Sequence, residues 1–278
     1  YNSSGNYAVT EPIVLFINNS NSKPISSQIY KILYYEGFLI KWSMNNDNDF
    51  LSYKLYKSAF ENMNDKILIL GAKSEIAIAI ANKLAKNGNS LQLAARNVEE
   101  LEGLKKELHS KYQVNITLHE FDALDVLNHS KFIENLKDLP TIAISTIGLL
   151  GNQKESEKNI GKAINEIRTN YEGPIAIFLE LANKFEKRGY GTLVGFSSVA
   201  GERGRSTNYI YGSAKAGFTE YLSGLRNRLE NKGVHVMTVI PGYVSTKMTK
   251  MMKLPSFLTA KPDEIASYFV KALKKKKN

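Results

Sequence analysis

The sequence predicts an α/β protein, a doubly wound parallel sheet preceded by a small β-α-β extension. Two observations carry that prediction. From about residue 65 onward, short apolar runs rich in Ile, Leu and Val alternate with amphipathic segments of helical period. Ahead of that point the chain is Asn-rich and the alternation stops. With 43% hydrophobic and 23% charged residues, the 278-residue chain can bury one sizeable core and a smaller unit beside it.

Residues 1–64 make up the extension. There 12-PIVLFI-17 reads as a strand, and 22-SKPISSQIYKILYYEG-37 as a helix with Pro24 near its first turn and Gly37 ending it. Next, 38-FLIKW-42 reads as a second strand, 45-NNDNDF-50 as a loop, and 51-LSYKLYKSAFENMN-64 as a helix leading into the main unit. This extension holds no internal repeat and no cluster of catalytic residues. A docking or oligomerisation lobe and a plain extension both fit it.

Residues 65–278 form the main domain. Strand 66-KILIL-70 leads into helix 74-SEIAIAIANKLAKNG-88, and strand 90-SLQLAAR-96 into helix 97-NVEELEGLKKELHSKY-112. Strands at 116-ITLHEF-121, 141-TIAIS-145, 192-TLVGFS-197 and 235-HVMTVI-240 continue the series, with helices between them. Right-handed crossovers then bring the carboxyl ends of the strands, and any ligand, to one edge of the sheet.

Composition excludes several chemistries. Without cysteine there is no disulfide, no thiolate nucleophile and no cysteine-ligated metal, and a reducing compartment is compatible. The four histidines, at 109, 119, 129 and 235, form no helical ligand pair, so no metal is expected. His235, within an apolar run, reads as a packed strand residue. The net charge of +10 is concentrated partly in 271-KALKKKKN-278, which reads as a solvated tail. No nucleic-acid-binding motif accompanies it, so no nucleic-acid partner is expected. No run approaches the roughly 18 to 20 apolar residues that span a bilayer, and no signal peptide is visible, so a cytoplasmic location is expected. The chain starts at Tyr1 and stops inside a lysine run, as a piece of a longer protein would.

The chemistry concentrates in 211-YGSAK-215. Tyr211 and Lys215 lie one helical turn apart on the same face, so phenol and ammonium can act on one ligand. A free tyrosine has a pKa of about 10, and a neighbouring cation that stabilises the phenolate is expected to move it toward neutrality. Upstream, Ser198 in 195-GFSSVAG-201 follows an apolar strand, which puts its hydroxyl at the ligand edge.

In motif order, LGAKSEIA, ISTIG, RTNYEGP, SSVAG, YGSAK and IPGYVST resemble the short-chain dehydrogenase/reductase family over roughly residues 66 to 265. The resemblance implies a Rossmann-type NAD(P)-binding domain and a catalytic set of Asn170, Ser198, Tyr211 and Lys215. In it the serine bonds the substrate oxygen, the tyrosine exchanges the proton, the lysine binds the nicotinamide ribose and the asparagine supports a water-linked proton path. It further implies cofactor contacts from Gly71, Lys73, Ser74, Ile76, Arg96, Asp122, Gly148, Tyr211, Lys215, Pro241, Gly242, Val244 and Thr246.

The family's glycine-rich T-G-x-x-x-G-x-G falls on Leu70, Gly71, Glu75 and Ala77, so only its first glycine is kept. Ala77 is small enough for close helix–strand packing. A carboxylate at Glu75 would repel a pyrophosphate, so its side chain is expected to point away. At the end of the second strand, Ala95 stands where NAD-preferring enzymes place an acid, and Arg96 follows; this points to NADPH, with Lys73 as a second cation. Asp122 matches the family's adenine-contacting aspartate, and it also suits a helix cap.

The expected activity is therefore NADPH-dependent reduction of a ketone. An NAD-dependent alcohol dehydrogenase and a non-catalytic dinucleotide-sensing scaffold are the alternatives. IGLLG, VAGERGR and MMKLP are similar to a bacterial subgroup that includes reductases of keto-sugars linked to polyprenyl phosphate. That likeness implies a lipid- or phosphate-linked carbonyl substrate, with Arg203 and Arg205 able to hold a phosphate. It also implies contact of the terminal lysines with the inner face of an anionic membrane, at about 1 kcal/mol per basic residue. A homo-oligomer is expected.

Overall fold

The structure, a computed structural model, describes residues 38–44, 51–57, 65–250, 257 and 259–275. The chain divides into two units, residues 1–62 and 63–278. In the first, β1 (Phe38–Met44) and β2 (Leu51–Lys57) pair antiparallel, Phe38 opposite Lys57 and Met44 opposite Leu51. The strand expected at residues 38–42 is there, but residues 51–57 are strand rather than the start of a helix. The cause is a period of two: Leu51, Tyr53 and Leu55 alternate with Ser52 and Lys54, which suits a pleated strand and not a 3.6-residue helix. The strand expected at 12–17, the helix at 22–37 and the loop at 45–50 lie outside the described residues.

The second unit alternates strand and helix as its sequence periodicity dictates. Its elements are β3 (Lys66–Leu70), α1 (Glu75–Lys86), β4 (Ser90–Ala95), α2 (Glu102–Tyr112), β5 (Ile116–Glu120) and α3 (His129–Glu134). After them come β6 (Ile142–Ser145), α4 (Gln153–Ser156), α5 (Ile160–Ile167), α6 (Gly173–Arg188), β7 (Gly191–Phe196) and α7 (Tyr209–Leu229). The chain then runs through β8 (Val234–Val239), the two-residue strands β9 (Tyr243–Val244) and β10 (Thr259–Ala260), and α8 (Pro262–Lys274).

Strands β3 to β8 make one parallel sheet in the order β5-β4-β3-β6-β7-β8. Winding reverses between β3 and β6, and a crevice opens at the carboxyl ends of strands on either side of such a switch. Ile67, Leu68, Ile69 and Leu70 of the central strand are all fully buried, as a strand covered on both faces requires. Leu68 and Leu70 belong to a core with Ala143, Leu193, Phe178, Phe185, Phe218 and Leu222, which seats α6 and α7 on one face. Strand alternation turns Ile67 and Ile69 to the other face. On α8, Ala266, Phe269, Val270 and Leu273 form a buried stripe at i, i+3, i+4 and i+7, and α8 packs on α1.

Two expectations change here. Helix α8 runs to Lys274 and Leu273 is buried, so the first half of the lysine-rich end is folded rather than a solvated tail. The segment expected as one helix from residue 97 begins with a tighter turn, Val98–Leu101, because Asn97 adopts a left-handed conformation at φ 49°. His235 sits half-buried in β8 opposite Thr192, a strand position as expected. Among the described residues no helix is long and apolar enough to cross a membrane.

Phe218 is the core residue that α7 drives toward the sheet, fully buried and 6.0 Å ring to ring from Phe178. Phe218→Ala is expected to lower unfolding free energy by about 3 to 5 kcal/mol, read from urea denaturation curves.

Candidate active site

A cleft of about 810 Å³ follows the carboxyl ends of the strands. Every residue expected to touch a cofactor lines it, as do Ser198 and Tyr211. Asn170 does not: it is fully buried behind the cleft wall, and its neighbour Thr169 lines the cleft instead.

The loop after β3 is built by local hydrogen bonding. Gly71 has φ +77°, and a Cβ on it would come within 3.0 Å of the Ile147 amide nitrogen, so both backbone and space demand glycine. The amides of Gly71 and Ala72 both donate to the Ala94 carbonyl. Ser74 caps α1 by accepting from the Ala77 amide at 3.1 Å, and its hydroxyl donates to Thr146 Oγ1. Thr146 donates to the carbonyls of Leu70 and Gly71, which ties the loop to the end of β6. Ala77 is buried against the sheet. Glu75 opens α1 and points across the cleft, where its carboxylate accepts from the Lys247 amide.

At the end of β4, Ala95 is buried while Arg96 is exposed and lines the cleft. Lys73 also lines it, but its ammonium is 2.8 Å from the Glu100 carboxylate. That hydrogen-bonded cation holds the Glu100 carboxyl below its ordinary range. Lys73 is thus a half-neutralised cation, which its place in the sequence did not reveal. Asp122 accepts from the Leu124 amide at 2.9 Å and faces the cleft as well, so its turn-forming and ligand-facing readings coexist.

The residues expected to be catalytic gather around Lys215. That lysine is 2% exposed, and its ammonium donates to the carbonyls of Phe196, the last residue of β7, at 3.0 Å and of Ile147, two residues past β6, at 3.2 Å. Burial lowers its pKa to about 8. Tyr211 stands one turn earlier on α7, its ring 5.9 Å from the ammonium. Here one expectation fails: burial pushes the Tyr211 phenol up, and the charge of Glu166 adds to the rise. A hydrogen bond with Ser198 is what pulls it back. Ser198, in extended backbone, caps the turn Val199–Gly201 by accepting from the Ala200 amide.

Asn170 lies in a π-helical turn, Arg168–Glu172, a wide turn common at functional sites. Its amide group donates to Leu149 and Glu166 carbonyls and accepts from the Leu149 amide, fixing the segment after Gly148. A Cβ on Gly148 would lie 3.3 Å from Asn170 Oδ1 and 3.6 Å from the Lys215 nitrogen, a tight cradle at the cleft floor. Beyond β8, Pro241, Gly242, Val244 and Thr246 form the far wall. Arg203 and Arg205 are exposed on the loop between Ser198 and α7. Met251, Met252 and Leu254 of the MMKLP stretch lie outside the described residues.

Sequence reasoning missed Glu166, buried and bonded to the Ser156 hydroxyl at 3.2 Å. Its one linear signal is its place a turn before Asn170. It also missed Thr146, which sits inside the ISTIG motif, and the Lys247 amide, which no side-chain pattern can mark.

Comparison with known proteins places this geometry. The family described as short chain dehydrogenase matches residues 65–255. An uncharacterized oxidoreductase of Mycobacterium tuberculosis is 35% identical over 210 residues, covering 74% of this chain and 84% of that protein. An NADP-dependent 3-hydroxy acid dehydrogenase of Schizosaccharomyces pombe is 32% identical over 188 residues, covering 66% of this chain and 73% of that protein. Among solved structures, a short-chain dehydrogenase from Sphingobium yanoikuyae in complex with NADPH superposes with a TM-score of 0.70 at 22% identity, over 77% of this chain and 85% of that one.

The depressed pKa of Lys215 makes a stability prediction. Its unfolded value is 10.5 and its folded value about 8, so between them the unfolded chain binds more protons. Stability from this group therefore rises with pH across that window, with a slope of at most about 1.4 kcal/mol per pH unit. Below pH 8 the burial cost is fully present. Denaturation of wild type and Lys215→Met from pH 7.5 to 10.5 should show the wild type gaining on the variant as pH rises.

Proposed function

The chain belongs to the short-chain dehydrogenase/reductase family and is an oxidoreductase, and on that premise we propose that it reduces a ketone with NADPH. The carrying observation is the convergence of Ser198, Tyr211 and Lys215 at one end of a cleft whose other end presents Arg96. The residues fit a dinucleotide. Gly71 and Gly148 leave room that a Cβ would fill, and the capped start of α1 points backbone amides at the cleft. When bound, the dinucleotide supplies a hydride to the carbonyl carbon.

The chain's own groups handle the oxygen. Ser198 and Tyr211 hydroxyls donate to the carbonyl oxygen, and Tyr211 gives up its proton as negative charge builds there. Burial holds the phenol protonated, in the state the reduction consumes. The Lys215 ammonium, one turn away, offsets the phenolate that remains. With a pKa near 8 it can lose and regain a proton close to neutral pH, which suits the refilling of Tyr211 from solvent. Asn170 holds the Leu149 backbone beside this path.

NADPH is favoured over NADH by the exposed Arg96 beside the uncharged Ala95. Arg203 and Arg205, exposed on the loop that carries Ser198, favour a substrate with an anionic group, such as a lipid- or phosphate-linked keto-sugar. The Glu75 carboxylate has a structural partner in the Lys247 amide, which gives it a role other than disabling the loop and so favours the catalytic reading over a non-catalytic one.

Tyr211→Phe should lower kcat about 10²- to 10⁴-fold while dinucleotide Kd stays within about twofold, followed as loss of NADPH absorbance with a panel of ketones. Comparable turnover would remove Tyr211 from the chemistry. Arg96→Ala should weaken NADPH about ten- to a hundredfold and leave NADH unchanged, measured as Kd at fixed salt. Equal loss for both cofactors would mean that Arg96 supports the fold or the adenine instead.

A further inference from the structure

We propose that Glu75 is a positioning residue that clasps the two walls of the cleft together and thereby retains the bound dinucleotide; the retention rests on the cofactor reading above. Glu75 replaces the glycine of a phosphate-binding loop with a carboxylate. As the first residue of α1 it is favoured by the helix dipole, but a free carboxylate there would oppose a pyrophosphate. It is not free. The Lys247 amide, 172 residues away in sequence, donates to Glu75 Oε2 at 2.5 Å.

The Lys247 amide is available because the hydrogen bonds within its turn are local. Lys247 opens the short turn Lys247–Thr249, whose first amides lack partners of their own. Thr246 and Thr249 cap each other, and the Thr249 hydroxyl donates to the Val244 carbonyl. Behind the turn, the Ser245 amide donates to Ala260, fastening β9 to β10. The turn is therefore a preformed unit, and in front it is held to the rest of the domain by Glu75. Its members Val244, Thr246, Met248 and Thr249 line the cleft.

The neighbouring residue secures the opposite side. Ser74 is bonded to Thr146 beyond β6, so two consecutive residues of one loop join strand ends on both sides of the cleft. A ligand lying under this loop leaves only after the Glu75–Lys247 bond opens. The carboxylate thus acts as an acceptor for backbone, a task a glutamine can share and an alanine cannot.

The test uses the complete chain in two measurements. In the free protein, amide hydrogen exchange of the peptide spanning residues 243–250 should quicken about tenfold in Glu75→Ala, the scale of one partly exposed hydrogen bond to a charged acceptor, and stay within about threefold in Glu75→Gln. Stopped-flow displacement of NADPH should likewise show release about tenfold faster in Glu75→Ala and near wild type in Glu75→Gln.

Lys247→Pro removes the donor and keeps the carboxylate. Proline is tolerated at the first position of such a turn, and Thr246 already has the extended backbone that a following proline demands. It should match Glu75→Ala, and the double variant should be no worse than either single one. Tighter binding of both dinucleotides by Glu75→Ala with unchanged exchange would overturn the clasp in favour of simple repulsion. Glu75→Gln behaving like Glu75→Ala would overturn it too. A wild type that binds neither dinucleotide would overturn the retention together with the cofactor reading, and the exchange comparison would still decide the clasp.

Discussion

A buried ammonium is costly unless hydrogen bonds compensate it, and the site of this protein is arranged around supplying two such acceptors to Lys215. The carbonyls of Ile147, just past β6, and of Phe196, at the end of β7, receive it. Strand carbonyls at a sheet's end have no further strand partner, so donor and acceptors satisfy each other. The bond fixes where α7 stands along the sheet and therefore where Tyr211 points. A Cβ on Gly148 would come 3.3 Å from Asn170 Oδ1 and into contact with the Lys215 nitrogen, so glycine keeps this corner open. The geometry of the cleft and the packing of the core are in this sense one construction, since Phe218 of the same helix is fully buried in the core.

The opposite end of the cleft follows another rule. There the backbone is shaped by a positive φ at Gly71, a serine cap at Ser74 and the Thr146 hydroxyl that receives it. Charge is arranged more loosely, on the surface. Lys73 is partly neutralised by Glu100, and Arg96 is left as the cation at the cleft with the freer charge. An exposed pair of the Lys73–Glu100 kind is worth roughly 0 to 1 kcal/mol, so it takes little from the positive character of this end of the cleft.

Much of the fold was legible because it is local. The six strands of the sheet fall within a residue or so of the apolar runs, since a strand buried on both faces must be written in continuous Ile, Leu and Val. Residues 51–57 misled because an aromatic-rich segment with lysines fits a helix by composition and a strand by period, and the period decided. At the site, Tyr211 and Lys215 were visible as a helical pair, but the direction of the Tyr211 shift was not. That depends on burial and on Glu166, which folding alone brings near. The partner of Glu75 was equally hidden, because a backbone amide carries no sequence signature. Short-range periodicity thus predicts elements and their ligand edge, and long-range contacts set the charge state within it.

The most direct measurement is an equilibrium fluorescence titration of the wild-type chain with NADPH and with NADH at one salt concentration. A frame organised by Lys215 at one end and Arg96 at the other predicts saturable binding of both at one site per chain, with NADPH the tighter. Absence of binding by either dinucleotide up to about millimolar, an affinity of only about 4 kcal/mol, would contradict the account.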